Sequence, residues 1–202
     1  MRAVAHRVTR IEEIASSRLF ILQEIDVEFR NGTTQTFERW RERRPHSVLM
    51  VAVNEAYEVL LVWEFVAGLG RRVLRLPSGR VDKGESPASA ARRELREEVG
   101  FDSGCHRIIR RFHNEPGHSD AFTDVVLLTD LRPEPLIGDE PEPLQHVAWP
   151  LREIHVLIER STITDARTIA ALLLVEVDLH ESLTSSHSHV REWTPPTAGE
   201  ST

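Results

Sequence analysis

The sequence predicts an α/β protein, in which one domain of alternating strands and helices is preceded by an antiparallel β-hairpin. Two observations predict this class. Strand-like segments lie before and after a segment with helical periodicity, and two strand-like runs near the N-terminus flank the turn dipeptide Asn31-Gly32. The 202 residues are enough for one well-packed domain with a small extension.

The hairpin occupies the first part of the chain. The run LFILQEIDVEF begins at Leu19, and the alternating run TTQTFERWR follows it after Asn31-Gly32. This dipeptide is the strongest short signal for a two-stranded turn. We therefore expect residues 1–45 to form an N-terminal hairpin extension and residues 46–180 to form the main domain.

Further strands and a helix follow the hairpin. The strands are predicted for the runs SVLMVAV and EVLLVWEF, which are separated by a turn at Asn54-Glu55, and for VLRLPSG. A helix is predicted from Ser86 to Val99, because serine suits an N-cap and Pro87 suits the first helical position. Gly100 suits the residue just after the helix.

The second half of the main domain again alternates between the two periodicities. Strands are predicted for CHRIIRRFHN, AFTDVVLLTDL and HVAWPL, and helices for Arg152–Glu159 and for about Thr164–Leu179. Residues 181–202 are polar and contain proline. We expect this last segment to be a poorly ordered tail.

Composition and charge exclude several classes of function. The net charge of −7 at pH 7 disfavours nucleic-acid binding through phosphate attraction. The single cysteine, Cys105, excludes an intramolecular disulfide and a cysteine-built zinc site. No apolar run is long enough to cross a bilayer, and the N-terminus lacks the apolar core of a secretory signal. We therefore expect a cytoplasmic protein without nucleic-acid or membrane partners.

The predicted helix at 86–99 has two different faces. At about 100° per residue, Glu94, Glu97 and Glu98 fall on one side. The apolar residues form a separate stripe, which we expect to be buried: Ala88, Ala91, Leu95 and Val99. Carboxylates this close repel one another. Two explanations are open, a solvated acidic face or a site for a hard divalent cation such as Mg²⁺, which prefers oxygen ligands.

The residues around this helix favour the cation site. The loop Gly79–Glu85 leads directly into the helix, so the backbone of Ser78 and Gly79 can approach a bound metal. Arg93 stands just before the carboxylates and can neutralise or orient Glu85. A metal held here would also give a substrate phosphate a docking point.

These residues resemble the motif of the Nudix hydrolase family, G-x5-E-x7-R-E-U-x-E-E-x-G-U, in which U is a bulky apolar residue. Every fixed position is filled: Gly79, Glu85, Arg93, Glu94, Leu95, Glu97, Glu98, Gly100 and Phe101. The resemblance implies an α/β/α sandwich with a mixed β-sheet. It also implies hydrolysis of a nucleoside diphosphate that is linked to another moiety.

The resemblance assigns roles to individual residues. Glu94, Glu97 and Glu98 would bind Mg²⁺, with Mn²⁺ as the alternative metal, and Ser78 would add its backbone carbonyl. Glu97 and Glu98 would thereby be catalytic. The remaining motif positions would be structural: Gly79, Glu85, Arg93 and Gly100.

The flanking segments resemble the branch of this family that hydrolyses ADP compounds. They are SSRLF, DVEFRNG and FERWR before the motif and GDEPEPL and WPL after it, so the resemblance covers residues 17–179. Relatives in that branch cleave ADP-ribose, NADH and adenosine polyphosphate dinucleotides and release AMP, and Pro116 fits the broader ADP-ribose pyrophosphatase group as a substrate residue. An N-terminal β-element completes a second subunit's site in related enzymes, which implies a homodimer.

Two positions depart from the pattern of ADP-ribose pyrophosphatases. Those enzymes commonly have Q-Y-R in the strand before the motif, where this chain has Glu64-Phe65-Val66. They commonly have a glutamate where this chain has Arg75. Both differences change the charge that is expected near the substrate.

Hydrolysis also needs a general base that activates water. Many ADP-sugar hydrolases supply it from the acidic loop after the motif, and this loop offers Asp139, Glu140 and Glu142. We favour Glu140, then Glu142, with Glu98 as the base if the loop points away. For any one loop residue, a solvated acidic linker is an equal alternative.

Substrate binding is predicted at the end of the hairpin, where Arg39 and Arg41 flank Trp40. Arginine suits a phosphate and an aromatic ring suits adenine stacking, so the trio fits an ADP-containing ligand. A charged sheet edge with the tryptophan in a dimer contact is an equal alternative.

Two other functions remain open besides the hydrolysis of ADP-linked compounds. One is a sugar-nucleotide or nucleoside triphosphate pyrophosphohydrolase. The other is a non-catalytic Nudix regulator that binds a nucleotide and a partner protein. The complete motif argues against the regulator, since such proteins often have a degraded motif.

Overall fold

The computed structural model describes residues 6–138 and 140–184, with side chains described to Leu179. These residues form two compact units. Unit 1 contains residues 6–46 and 113–122, and unit 2 contains residues 47–112 and 123–184.

Unit 1 contains a three-stranded antiparallel sheet. Its strands are β1 (Arg7–Ser16), β2 (Phe20–Glu28) and β3 (Thr34–Glu42), with β2 in the centre. The predicted hairpin is β2–β3. At its turn, the side chain of Asn31 accepts hydrogen bonds from the backbone N–H of Thr33 at 3.1 Å and from its hydroxyl at 2.7 Å.

Strand β1 was missing from the sequence prediction, which gave two strands instead of three. All ten residues of β1 are exposed, so the strand has no buried face and shows no apolar alternation. Pairing with β2 holds it in place, together with ion pairs from Arg10 to Asp26 at 2.7 Å and to Glu24 at 3.1 Å.

Unit 2 contains a mixed four-stranded sheet in the order β7-β4-β9-β8. The strands are β4 (His46–Ala52), β7 (Ser78–Arg80), β8 (Phe101–His113) and β9 (Phe122–Pro133). Strands β4 and β7 are antiparallel. Ser47 contacts Thr123 at 2.8 Å and Val53 donates to the Leu128 carbonyl at 2.9 Å, so β4 and β9 run in the same direction.

A second sheet of unit 2 has the order β10-β5-β6 and is antiparallel throughout. Its strands are β5 (Glu58–Val66), β6 (Arg71–Arg75) and β10 (Gln145–Pro150). The central strand β5 has four consecutive buried residues, as expected for a strand that is covered on both faces.

The helices of unit 2 are α1 (Pro87–Glu98), α2 (Ile154–Glu159), which follows a 3-10 turn at Leu151–Glu153, and α3 (Ala166–Thr184). Helix α3 thus continues four residues into the segment that was expected to be a tail. The rest of that segment, 185–202, lies outside the described residues. No described helix is long and apolar enough to span a membrane.

Alternate residues of β4 face two separate cores. Val48 and Met50 pack with α1, whereas Leu49 and Val51 pack with α2 and α3. The helices therefore cover opposite faces of the strands, which confirms the predicted α/β/α sandwich with a mixed sheet.

Helix α1 begins and ends as its sequence predicts. The Ser86 side chain accepts the N–H of Ser89 at 3.1 Å, and Pro87 occupies the first turn. Gly100 has φ +85°, a conformation that glycine adopts without strain, and its N–H donates to the Leu95 carbonyl at 3.1 Å. The buried stripe differs from the prediction at one position, since Ala90 is buried and Ala88 is only partly covered.

Candidate functional site

The acidic residues of α1 lie directly beside strand β7. An added Cβ at Gly79 would lie 1.9 Å from the Cδ atom of Glu94, so any larger residue would displace this carboxylate. The same carboxylate accepts the backbone N–H of Arg80 at 3.1 Å. The glycine of the motif is therefore required because the backbone approaches the helix closely.

Arg93 is the centre of the ion pairs in this site. Its guanidinium donates two hydrogen bonds to Glu85, at 3.0 and 3.1 Å, and one to the Arg80 carbonyl at 2.9 Å. It also contacts Glu94 at 2.9 Å and Glu97 at 3.1 Å. The hydrogen bonds from Arg93 hold the pKa of Glu85 below its usual range. Arg93 thus joins the loop before α1 to two of the three helix carboxylates.

Glu98 is the most buried of the three carboxylates, with 9% of the residue exposed. It accepts the backbone N–H of Ser78 at 3.2 Å. Burial raises the pKa of Glu98 well above its ordinary value, and the charges of Glu94, Glu64 and Glu140 add to this effect. Burial also raises the pKa of Glu94, although Arg93 acts in the opposite direction.

The chemistry of these residues fits a divalent cation. Burial and like charges disfavour the ionised form of Glu94 and Glu98, and a bound cation would offset both effects. Among the residues that the structure describes, no three acidic, histidine or cysteine side chains are already arranged as a ligand set. The Glu94 and Glu97 carboxylates instead contact Arg93, so a cation would compete with this guanidinium.

Arg75 is one of the two positions at which this chain departs from the pattern of ADP-ribose pyrophosphatases. Its side chain is buried and belongs to the same network of charged groups. Its guanidinium contacts Glu64 at 3.1 Å, donates to the Ser78 hydroxyl at 3.0 Å and lies 3.7 Å from Asp165. Thr168 donates to Asp165 at 2.9 Å. The charge of Arg75 is therefore largely balanced by carboxylates of this chain.

The partners of Arg75 were not predicted from the sequence. The contact with Glu64 could have been predicted from strand pairing. Arg75 on β6 lies opposite Val62 on β5, so Glu64, two residues further along β5, is a diagonal neighbour of opposite charge. The contact with Asp165 carries no local signal, because that residue is distant in the sequence and precedes α3.

The acidic loop after β9 packs on the C-terminal end of α1. The Glu134 N–H donates to the Gly100 carbonyl at 2.9 Å, and the Leu136 N–H donates to the Arg96 carbonyl at 3.0 Å. The side chain of Arg96 forms an ion pair with Glu134 at 2.6 Å, and Gly138 lies against Glu97.

The candidate bases in this loop differ in their exposure and in the effect of their charge on the helix carboxylates. Glu140 is exposed, and its charge contributes to the raised pKa of Glu98. Glu142 is exposed. Asp139 lies outside the described residues.

The predicted substrate residues lie together in unit 1. The ring of Trp40 stacks on that of His118, with centroids 5.7 Å apart and planes 12° apart. Arg41 forms an ion pair with Asp120 at 2.7 Å, and Arg39 donates to Gln23 at 3.1 Å. His118 and Asp120 were not predicted from the sequence as partners of these residues.

The turn between β8 and β9 brings these partners to β3. The Glu115 carbonyl accepts the N–H groups of His118 and Ser119, and the His118 carbonyl accepts the Trp40 N–H at 2.9 Å. Pro116 lies exposed in this turn. All four predicted substrate residues therefore belong to one unit.

Comparisons with known proteins match both parts of the chain. A family model described as the NUDIX domain matches residues 43–172. The chain belongs to the Nudix hydrolase family. A second model, the NudE-type Nudix hydrolase N-terminal domain, matches residues 7–39, which contain β1, β2 and the first six residues of β3.

Individual relatives of this Nudix hydrolase cover nearly the whole chain. The ADP compounds hydrolase NudE of Escherichia coli is 36% identical over 168 residues, 83% of this chain and 90% of the relative. The ADP-ribose pyrophosphatase of Bacillus subtilis is 28% identical over 88% of this chain and 96% of its own. A crystal structure of an ADP compounds hydrolase superposes with a TM-score of 0.82 at 34% identity, covering 90% of this chain and 98% of that one.

The comparisons confirm the predicted family and enzyme class. The Nudix domain and its hydrolase relatives make this chain a Nudix pyrophosphohydrolase. The motif residues of α1 lie within the matched domain.

Proposed function

We propose that this Nudix hydrolase uses Mg²⁺ to cleave the pyrophosphate bond of ADP-linked compounds and to release AMP. The observation that carries the proposal is the carboxylate cluster of Glu94, Glu97 and Glu98, which lies beside the Gly79 loop. The NudE-type N-terminal domain and relatives named ADP compounds hydrolase and ADP-ribose pyrophosphatase support the substrate class.

The metal would be held by these three glutamates and by the backbone carbonyl of Ser78. Mn²⁺ prefers the same oxygen donors and is the alternative metal. When bound, the cation supplies positive charge that neutralises the diphosphate. Arg93 contacts Glu94 at 2.9 Å and Glu97 at 3.1 Å, so the cation would displace this guanidinium from the two carboxylates.

Glu140 is the proposed general base of the reaction. Its carboxylate takes a proton from water while the water oxygen bonds to one phosphorus. The bond between this phosphorus and the bridging oxygen breaks, and the other phosphate leaves with the electron pair. The charge of Glu140 acts on the Glu98 carboxylate of the cluster, which supports this choice. Glu142 and then Glu98 are the remaining candidates.

Replacement of Arg96 by alanine is expected to lower kcat by about tenfold to a hundredfold, with KM little changed. Loss of the Arg96 side chain releases the acidic loop from α1, and the loop then no longer holds the proposed base in position. Steady-state kinetics on ADP-ribose measures both constants. Arg92→Ala is the matched control, since Arg92 lies one turn earlier on α1 and pairs with Asp102 rather than with the loop. Equal losses in the two variants would contradict the role of Arg96.

In unit 1, we propose that Trp40 stacks with the adenine ring of the substrate. Its ring already forms a flat pair with His118, which supports an aromatic stacking role. We propose that Arg39 and Arg41, the neighbours of Trp40 in β3, supply positive charge for a phosphate. Pro116, in the turn that carries His118, is the fourth proposed substrate residue. A Trp40→Ala variant that binds ADP-ribose as tightly as the parent protein would contradict this assignment.

We also propose that the protein is a homodimer through the sheet of unit 1. This sheet exposes large apolar side chains, which is typical of an interaction surface: Val8, Ile11, Ile14, Phe20 and Phe37. Sedimentation velocity on the full chain tests the proposal. A single species with the mass of one chain at micromolar concentration would contradict it.

The proposed cellular compartment is the cytoplasm. Cys105 is an exposed free thiol, which suits a reducing environment. Fractionation of the source cells, followed by immunodetection, tests this location, and enrichment outside the cytoplasmic fraction would contradict it. No nucleic-acid or membrane partner is proposed.

A panel of substrates with Mg²⁺ tests the reaction. We expect AMP from ADP-ribose, NADH or a diadenosine polyphosphate, with Glu97→Gln as the inactive control. Hydrolysis in ¹⁸O-water shows which phosphorus receives the solvent oxygen. Preferential cleavage of GDP-mannose or of an 8-oxo nucleotide, without AMP from the first three compounds, would overturn the substrate class. Unchanged activity in Glu97→Gln would overturn the catalytic role of the motif.

A further inference from the structure

A cavity lies at the turn that joins β2 and β3 in unit 1. Its volume is about 360 Å³, which falls within the range of about 300–1,000 Å³ that small-molecule sites occupy. Six residues line it: His6, Phe29, Arg30, Asn31, Thr33 and Gln35. None of them belongs to the Nudix motif or to the predicted substrate residues of unit 1, so neither role accounts for the cavity.

Two aromatic side chains are among the residues that line this cavity. The ring of His6 lies edge-on to that of Phe29, with centroids 5.1 Å apart and planes at 62°. The ring of Phe37 on β3 lies 6.2 Å from that of Phe29, with planes at 50°. These two neighbours fix the orientation of Phe29, so a planar ligand ring can stack beside it without a rearrangement of the protein.

The turn is held in one conformation by its own hydrogen bonds. The Phe29 N–H donates to the Thr33 carbonyl at 2.8 Å, and the Gly32 N–H donates to the Phe29 carbonyl at 2.9 Å. The side chain of Asn31 accepts from the N–H and from the hydroxyl of Thr33. A site whose backbone is already ordered loses little conformational freedom when a ligand binds.

Arg30 gives the cavity a positive charge that is not neutralised within the part of the chain that the structure describes. Its guanidinium is exposed and has no hydrogen bond or ion pair there. The carboxylates near the end of β2, Asp26 and Glu28, are instead paired with Arg10 and Arg7, each at 2.7 Å. The lining residues include no carboxylate, so an anion in the cavity would be attracted to Arg30 without close repulsion.

The groups together fit a planar aromatic ring that carries a phosphate. The rings of His6 and Phe29 offer a stacking surface for a nucleobase, and every base has a face that can use it. The guanidinium of Arg30 can bind two phosphate oxygens at once, and the Gln35 amide offers a donor and an acceptor to the base. A nucleoside monophosphate combines both parts in one small molecule.

We propose that this cavity is a second nucleotide site, which binds a nucleoside monophosphate without a metal. The base stacks on Phe29 and His6, and Arg30 binds the phosphate. The site belongs to unit 1 and shares no residue with the carboxylate cluster, so it goes beyond the proposed hydrolysis and does not depend on it. AMP belongs to this class of ligand, so unit 1 would bind the product of the proposed reaction.

Titration of the ¹⁵N-labelled full chain with AMP in EDTA tests the site by nuclear magnetic resonance. EDTA prevents the phosphate from binding through a cation at the carboxylate cluster. We expect the amide resonances of residues 29–33 to shift together with a single Kd. Ribose phosphate, which lacks the base, is expected to bind at least about tenfold more weakly at the same resonances, because it loses the stacking contact.

Arg30→Ala removes the contact with the phosphate and is expected to raise the Kd for AMP by about tenfold, the effect of losing one charge-assisted hydrogen bond. Arg18→Ala is the matched control, since Arg18 is also an exposed arginine of unit 1 but does not line the cavity. Its Kd is expected to equal that of the parent protein. Phe29→Leu keeps an apolar side chain without the aromatic face, and a similar tenfold rise is expected, about the value of one stacked base.

Several results would overturn the nucleotide site. They are the absence of shifts at residues 29–33 in millimolar AMP, an unchanged Kd in Arg30→Ala and Phe29→Leu, and equal Kd values for AMP and ribose phosphate. Equal losses in Arg18→Ala and Arg30→Ala would also overturn it, because they would show only a general attraction of anions to this unit. Hydrolysis of ADP-ribose is measured separately, so failure of the site and failure of the proposed function are distinguishable.

Discussion

Replacement of Glu98 by glutamine is expected to lower kcat by roughly a thousandfold while raising the melting temperature of the metal-free protein. The first effect follows because Glu98 is a proposed metal ligand, and loss of about 4 kcal/mol of transition-state stabilisation corresponds to this factor. The second effect follows because the carboxylate is 9% exposed and lies near the charges of Glu94 and Glu64. Glutamine removes a buried charge and keeps an oxygen for the Ser78 N–H.

Two measurements check this prediction. Steady-state kinetics with Mg²⁺ gives the loss of activity, and thermal unfolding in EDTA gives the change in stability, at about 2–4 °C per kcal/mol for a chain of this size. Glu55→Gln is the control, because Glu55 is exposed in the turn between β4 and β5. A less stable and fully active Glu98→Gln protein would contradict both the metal role and the argument from burial.

Replacement of Gly79 by alanine is expected to reduce activity by at least about a hundredfold and to lower the free energy of unfolding by about 1–3 kcal/mol. The added Cβ would lie 1.9 Å from the Glu94 Cδ atom and 2.2 Å from its Cγ atom, so the carboxylate must move. Its hydrogen bond from the Arg80 N–H and its contact with Arg93 would be lost.

Gly68→Ala is the control for this substitution. An added Cβ at Gly68 meets nothing within 4 Å, so we expect normal kinetics. Denaturant unfolding and kinetics on ADP-ribose, run on both variants, separate the effect of the contact from that of removing a glycine. An active Gly79→Ala protein with normal stability would show that the close approach to Glu94 is not required.

Local sequence was sufficient to predict the elements that carry the carboxylates. The cap at Ser86, the break at Gly100 and the helical period between them depend only on neighbouring residues, and the structure has α1 at Pro87–Glu98. The Asn31-Gly32 turn was predictable for the same reason. Strand β1 was not, because its residues are all exposed and its partner strand supplies the hydrogen bonds.

The sequence by itself determined the family and the reaction class, because every fixed position of the Nudix motif is filled. The helical period places its three glutamates, Glu94, Glu97 and Glu98, on one side of the helix. Only the tertiary structure decided how these groups are surrounded. It buried Glu98, balanced the charge of Arg75 with carboxylates and stacked His118 on Trp40. The physical reason is that burial and pairing depend on strand register and on helix packing between distant segments. The Thr168 hydroxyl, for example, accepts the N–H of Leu76, 92 residues earlier in the chain.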